Sequence, residues 1–104
     1  MGMPQMSTKD QAEQRILSSV FNALGNPVRL RILSIISETK RPLHIKAVAK
    51  TLQMDYGAVY RHVETLKEAG LLQVFEVGRS RVLAPMHAET LSQIFVLAQQ
   101  IEPE

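Results

Sequence analysis

The spacing of apolar and polar positions changes twice along the chain. Up to residue 70 apolar side chains recur every three to four residues; they then alternate, and the helical period returns near the C-terminus. Ile16, Leu17, Val20, Phe21 and Leu24 form one stripe, predicting a first helix from Ser7 or Thr8 to about Ala23. Gly25-Asn26-Pro27 interrupts it, and Asn26 with Pro27 is a cap followed by a first helical residue. The second helix, over 27–38, carries Val28, Leu30, Ile32, Leu33, Ile35 and Ile36, so it is expected at the centre of the core. Arg29 and Arg31 must take its remaining surface.

Lys40-Arg41-Pro42 predicts a turn, and His44 stands where a cap is expected for a short third helix over 45–52, with Val48, Ala49 and Leu52 inward. A fourth helix over 55–69 follows after about three residues. Asp55 is its expected cap, and Gly70 suits the left-handed residue beyond its last turn. Val59, Val63 and Leu66 share one face with Ala69 beside them; Gly57, Tyr60, Arg61, Glu64 and Glu68 share the other.

Past Gly70, the run Leu71, Leu72, Val74, Phe75 and Val77 reads as a strand, Gly78-Arg79-Ser80 as a turn, and Arg81 to Ala84 as a second strand ended by Pro85. A last helix from about Ala88 to Gln100 carries Leu91, Ile94, Phe95, Ala98 and Ile101 in one stripe. The order is α-α-α-α-β-β-α, mainly α with a small β-hairpin. Two helices joined by a tight turn and followed at once by a basic-tipped hairpin make a winged helix-turn-helix. A single domain is expected over 8–101, after a disordered lead over 1–7.

Composition narrows the chemistry. The chain has 104 residues and no cysteine, which removes disulfides, thiolate metal sites and thiol redox sensing. No apolar run approaches the roughly 20 residues of a membrane span, and no signal-peptide plan is seen, so a cytoplasmic location is expected. There is no nucleophile–histidine–acid set and no phosphate-cradling glycine loop, so an enzyme is not expected. The net charge of +2 is modest, but its distribution is uneven. Residues 26–47 hold five basic side chains against one acid, whereas residues 86–104 hold three acids and no Lys or Arg. That asymmetry suggests one face that meets an anion.

The fourth helix tells which anion. Its outward face is small at the start, at Gly57 and Ala58, and then presents Tyr60 and Arg61 one turn later, with Tyr56 also in the first turn. Small residues allow a helix N-terminus to approach closely; Tyr and Arg add hydrogen bonds, stacking and charge. Double-stranded DNA is the partner this implies, with the helix in the major groove. Arg61 would read guanine or grip phosphate, unless it pairs with Glu64 or Asp55. Tyr60 would touch a thymine methyl or a phosphate, unless it braces the hairpin. Arg79, Ser80 and Arg81 at the hairpin tip would enter the minor groove or clamp its phosphates. His44 and Lys46 suit phosphate binding at the start of the third helix. His62, on the border of the core face, reads as a structural histidine.

Three stretches carry a resemblance. ALGNPVRLRIL at 23–33, AVYRHVETLKEAGLL at 58–72 and GRSRVLAP at 78–85 resemble the second helix, recognition helix and wing of ArsR-type winged-helix repressors. The 58–72 stretch is similar to winged helices broadly, MarR-like relatives included, and 23–33 narrows the resemblance to the ArsR type. The resemblance extends over about residues 12–100 and implies a homodimer, a palindromic operator and transcriptional control, most simply repression. Members of the family sense metals through a cysteine-bearing third helix or acid and histidine pairs on the last. Here the third helix reads IKAVAKTL and the last offers only His87 and Glu89, so no metal site and no cofactor are expected. A small-molecule effector between the first and last helices remains open. The terminal stripes exceed what one winged-helix core needs. They predict a dimer interface built from Ile16, Leu17, Val20, Phe21, Leu91, Ile94, Phe95 and Ala98. The rival reading is a winged-helix adaptor that binds protein instead of specific DNA, to which Glu64, Glu68 and Glu76 lend some support.

Overall fold

The computed structural model describes residues 8–103, and the lead over 1–7 lies outside the described residues. Its helices are α1 (Thr8–Leu24), α2 (Pro27–Glu38), α3 (Ile45–Leu52), α4 (Tyr56–Glu68) and α5 (Ala88–Ala98). Its strands are β1 (Leu43–His44), β2 (Leu72–Val77) and β3 (Ser80–Pro85), in the antiparallel order β1-β3-β2. The winged arrangement is the expected one, and the sheet gains a strand. Leu43 pairs with Leu83 and His44 with Val82. A two-residue strand is too short to show alternation; β3 defines it by offering a free edge.

Local chemistry starts α2. Asn26 is extended, and its Oδ1 accepts from the N–H groups of Val28 at 2.9 Å and Arg29 at 3.2 Å. Pro27 follows at the position where a missing N–H costs nothing. Ile32, Leu33 and Ile36 are fully buried, as a central helix requires, but Leu30 is 39% exposed. It faces a groove towards α5.

α4 lays Val59, Val63 and Leu66 into the same core, each without measurable exposure. Burial of that kind stabilises by about 1.5–3 kcal/mol per side chain. The helix ends in a Schellman turn: Gly70, at φ +79°, donates to the Lys67 carbonyl at 2.9 Å, and Leu71 donates to the Leu66 carbonyl at 2.9 Å. That turn delivers Leu71 and Leu72 to the core and starts β2. Val77 pairs with Ser80, so the hairpin turn is only Gly78-Arg79, with Gly78 at φ +62°. Glycine first and an ordinary residue second is a favoured two-residue hairpin pattern.

The two terminal helices behave differently from each other. α1 has only Ala23 and Leu24 buried and projects from the body, leaving Ile16, Leu17 and Phe21 exposed. The radius of gyration is accordingly 15.7 Å, against about 13 Å for a compact chain of this size. α5 docks on the body. Leu91, expected at a subunit interface, is 3% exposed and belongs to the subunit's own core. Ile94, Phe95 and Val20 also pack against that core, each half-buried. The correction has a simple cause: α5 is apolar on two sides, and the stripe running through Leu91, Ile94 and Phe95 faces inward. Its open side is Val96 and Leu97, with Ala98 exposed at the edge of the groove and Ile101 exposed just beyond the helix.

Candidate nucleic-acid interface

Alternation along β3 decides which wing residues face the helices. Leu83 is buried and pairs with Val74 of β2; two positions earlier, Arg81 pairs with Glu76. Arg81 therefore points to the same inner side as Leu83, towards α4. There its Nη1 donates to the Tyr56 hydroxyl at 3.1 Å, and its Cζ lies 4.7 Å from the centre of the Tyr60 ring. The two tyrosine rings, one helical turn apart, are stacked at 6.3 Å with 14° between their planes. Glu76 Oε1 lies 4.0 Å from Arg81 Nε. The hydrogen bond from Arg81 to the Tyr56 hydroxyl raises the Arg81 pKa above its already high ordinary value.

The outer row of the sheet does the converse. His44 pairs with Val82, which pairs with Phe75, so the new strand places His44 at the edge beside the start of α3. A cavity of about 280 Å³ opens where α3, α4 and the wing meet; Lys46, Tyr56 and Arg79 line it together with His44, Ser80 and Arg81. Six of the ten residues expected to meet DNA thus surround one hollow. Gly57, Ala58, Tyr60 and Arg61 lie on α4 outside that lining. Arg61 and Gly57 are exposed, and a Cβ added at Gly57 would meet nothing within 4 Å, so internal packing does not demand glycine there. Glu64 lies 4.0 Å from Lys67. Among the described residues, no ion pair holds the Arg61 guanidinium.

Two expected caps are corrected. His44 and Asp55 do occupy the N-cap positions of α3 and α4, but neither side chain accepts a bond from its helix. Asn26, by contrast, turns its oxygen inward. The N–H groups of the first turns of α3 and α4 are left without a side-chain acceptor from their caps.

Arg29 is a second departure. Counted by sequence with the basic group over 26–47, it turns back instead: Nε donates to the Ala23 carbonyl at 2.7 Å and Nη2 to the Asn22 carbonyl at 3.0 Å. Its Nη1 lies 3.2 Å from His62 Nδ1. Arginine can only donate, so His62 must present a bare Nδ1 and carry its proton on Nε2. Burial first, and the Arg29 charge second, lower the His62 pKa. This histidine ties α2 to α4, in keeping with a structural role.

Sequence reading missed the groove beside α5. A hollow of about 400 Å³ is lined by Leu30, Ser34, Phe95, Ala98 and Gln99, so α2 rather than α1 walls the space where an effector was looked for. The exposed Leu30 was the available signal, an apolar residue on a helix with more apolar positions than one core can cover.

Three helices around a common core, a tight α3–α4 turn and a hairpin closed by a third strand define a winged helix-turn-helix protein. The chain belongs to the HVO_A0114 family, whose profile matches residues 25–91. It is similar to the uncharacterized HTH-type transcriptional regulator MJ0229 of Methanocaldococcus jannaschii, at 39% identity over 62 residues; the match spans 57% of this chain and 63% of that relative, less than two thirds of its length. In fold it is similar to the homodimeric winged helix-turn-helix DNA-binding domain of Mb0332 from Mycobacterium bovis, a possible ArsR-family transcriptional regulator. That likeness has a TM-score of 0.76 at 24% identity, over 93% of this chain and 87% of that one. The ArsR family transcriptional regulator RHA00566 is similar with a TM-score of 0.65 at 26% identity, over 82% of this chain and 92% of that one.

Proposed function

We propose that this chain is a homodimeric, sequence-specific DNA-binding transcriptional regulator of the cytoplasm, acting as a repressor. α4 enters the major groove with Tyr56, Gly57, Ala58, Tyr60 and Arg61 foremost. The wing tip at Arg79 and Ser80 meets the minor groove or its phosphates. His44 and Lys46 approach a phosphate where α3 begins. The observation that carries this reading is the hollow that gathers Lys46, Arg79 and His44 beside the open face of α4. Nothing in the core calls for that convergence of basic side chains, which suits a polyanion. The uncapped first turns of α3 and α4 favour the same partner. The dimer reading rests on the exposed apolar rows of α1 and α5; the similar Mb0332 domain is homodimeric. An effector would fit the groove between α2 and α5.

The test is a gel shift on duplexes recovered from host genomic DNA by pull-down with the protein. Log affinity should fall linearly with log salt, by about 0.9 per phosphate neutralised. Arg79→Ala should lower that slope by about one such unit, and Arg61→Ala should cost about 1–3 kcal/mol on the preferred site. A response flat with salt, or duplex binding unaltered by both changes, would transfer the protein to the adaptor reading.

A further inference from the structure

Arg81 carries an inference that rests on the DNA-binding reading and sharpens it. Its side chain is already engaged at both ends of its guanidinium: the Tyr56 hydroxyl at 3.1 Å on one edge, the Tyr60 ring beneath it at 4.7 Å, and Glu76 across the strand ladder at 4.0 Å. The platform is itself ordered, because Tyr56 and Tyr60 stack on one face of α4. The wing beyond this contact has little else to hold it. Phe75 and Val77, on the outer side of β2, are 46% and 60% exposed, so the distal hairpin is not packed into the core. A two-stranded ribbon without a packed face is marginal in water.

We propose that Arg81 is a positioning residue, a clamp between wing and recognition helix, and that the DNA contact at the wing belongs to Arg79. The chemistry explains why arginine stands there. A planar guanidinium can donate in its plane and stack through its face at once, whereas a lysine ammonium has no plane to stack. Arg79 is exposed at the turn itself. The clamp sets the separation between the α4 N-terminus and the Arg79 tip before any duplex arrives. Preorganisation of this kind removes an ordering cost from binding. It acts on the preferred site, where helix and wing must engage together, and much less on arbitrary duplex, where charge alone suffices.

The experiment uses the full chain with variants Arg81→Lys, Arg81→Gln, Tyr56→Phe and the double variant Tyr56→Phe/Arg81→Lys. Each is titrated against the selected duplex and a scrambled one over a salt series. Arg81→Lys keeps the charge, and should weaken the selected site about tenfold while leaving the scrambled duplex and the salt slope as they were. Tyr56→Phe should weaken the selected site in the same direction, and the double variant should lose no more than the worse single one. In the free protein, the Arg81 side-chain protons should be shifted upfield by the Tyr60 ring, and Tyr60→Leu should abolish that shift. The role is overturned if Arg81→Lys binds like the unaltered chain while Arg81→Gln lowers the salt slope by about one unit, the mark of a phosphate contact. Additive losses in the double variant, or no upfield shift, would overturn it equally. Failure of the unaltered chain to bind any duplex would instead remove the DNA reading, and this role with it.

Discussion

At the scale of single residues, the most informative contact lies away from the hollow. Arg29 bridges the last carbonyls of α1 to His62 of α4. Burial first, and the Arg29 charge second, make the folded protein resist protonating His62, so its pKa lies below the ordinary 6.5. The unfolded chain takes up the proton near pH 6.5; the folded chain does so only further down. Between those two values the unfolded state binds more protons, so stability falls as the pH falls through the interval and is untouched above it. Thermal melts between about pH 7.5 and 5.5 should show a steeper loss for the unaltered chain than for His62→Asn. Equal slopes would disprove the linkage. The sequence placed His62 on the border of the core face but gave no hint of Arg29, thirty-three positions away. An arginine on a core helix has several directions open to it. Only the arrival of the α1 C-terminus, with the Asn22 and Ala23 carbonyls within reach, selects one.

At the scale of elements, helix ends separate structural from binding roles. Asn26, Asp55 and His44 all occupy cap positions, yet only Asn26 makes capping bonds. Asn26→Ala should therefore cost about 1 kcal/mol in urea unfolding. Asp55→Ala should stay within about 0.5 kcal/mol, since no capping bond is lost. A large loss on Asp55→Ala would show that its carboxylate does cap α4 in solution. The helices themselves were legible in the apolar period, and α2 was bounded by its own cap and proline. The wing's strands were legible too, and β3 begins one residue earlier than alternation suggested because the turn is only two residues long. β1 was not legible, because pairing with β3 alone makes it a strand.

At the scale of the whole molecule, α1 is a 17-residue helix with two buried residues, which is hard to sustain alone. Pairing of subunits through Ile16, Leu17 and Phe21 with the open side of α5 would cover both rows. Phe21→Glu should then shift the protein towards monomer, raising the dissociation constant at least about tenfold, and weaken duplex binding with it. Leu91→Ala should behave otherwise, lowering unfolding stability by about 2–5 kcal/mol through a core cavity. Light scattering coupled to size exclusion distinguishes the two. Unchanged mass for Phe21→Glu would reject the interface. Half-sites about one duplex turn apart are the matching expectation for a dimer of this kind.

The chain alone was enough to predict five helices, the hairpin, the Asn26 cap, the glycines at 70 and 78, and the identity of the polar face on α4. All of these rest on interactions within a few residues, where period and capping chemistry leave a visible pattern. The tertiary structure decided the rest: the third strand, the inward side of α5, the return of Arg29 to α1, and the engagement of Arg81 by two tyrosines. Each depends on which surface arrives opposite a side chain that had more than one partner within reach. Local pattern says which way a residue points along its own element, and packing alone says what it meets there.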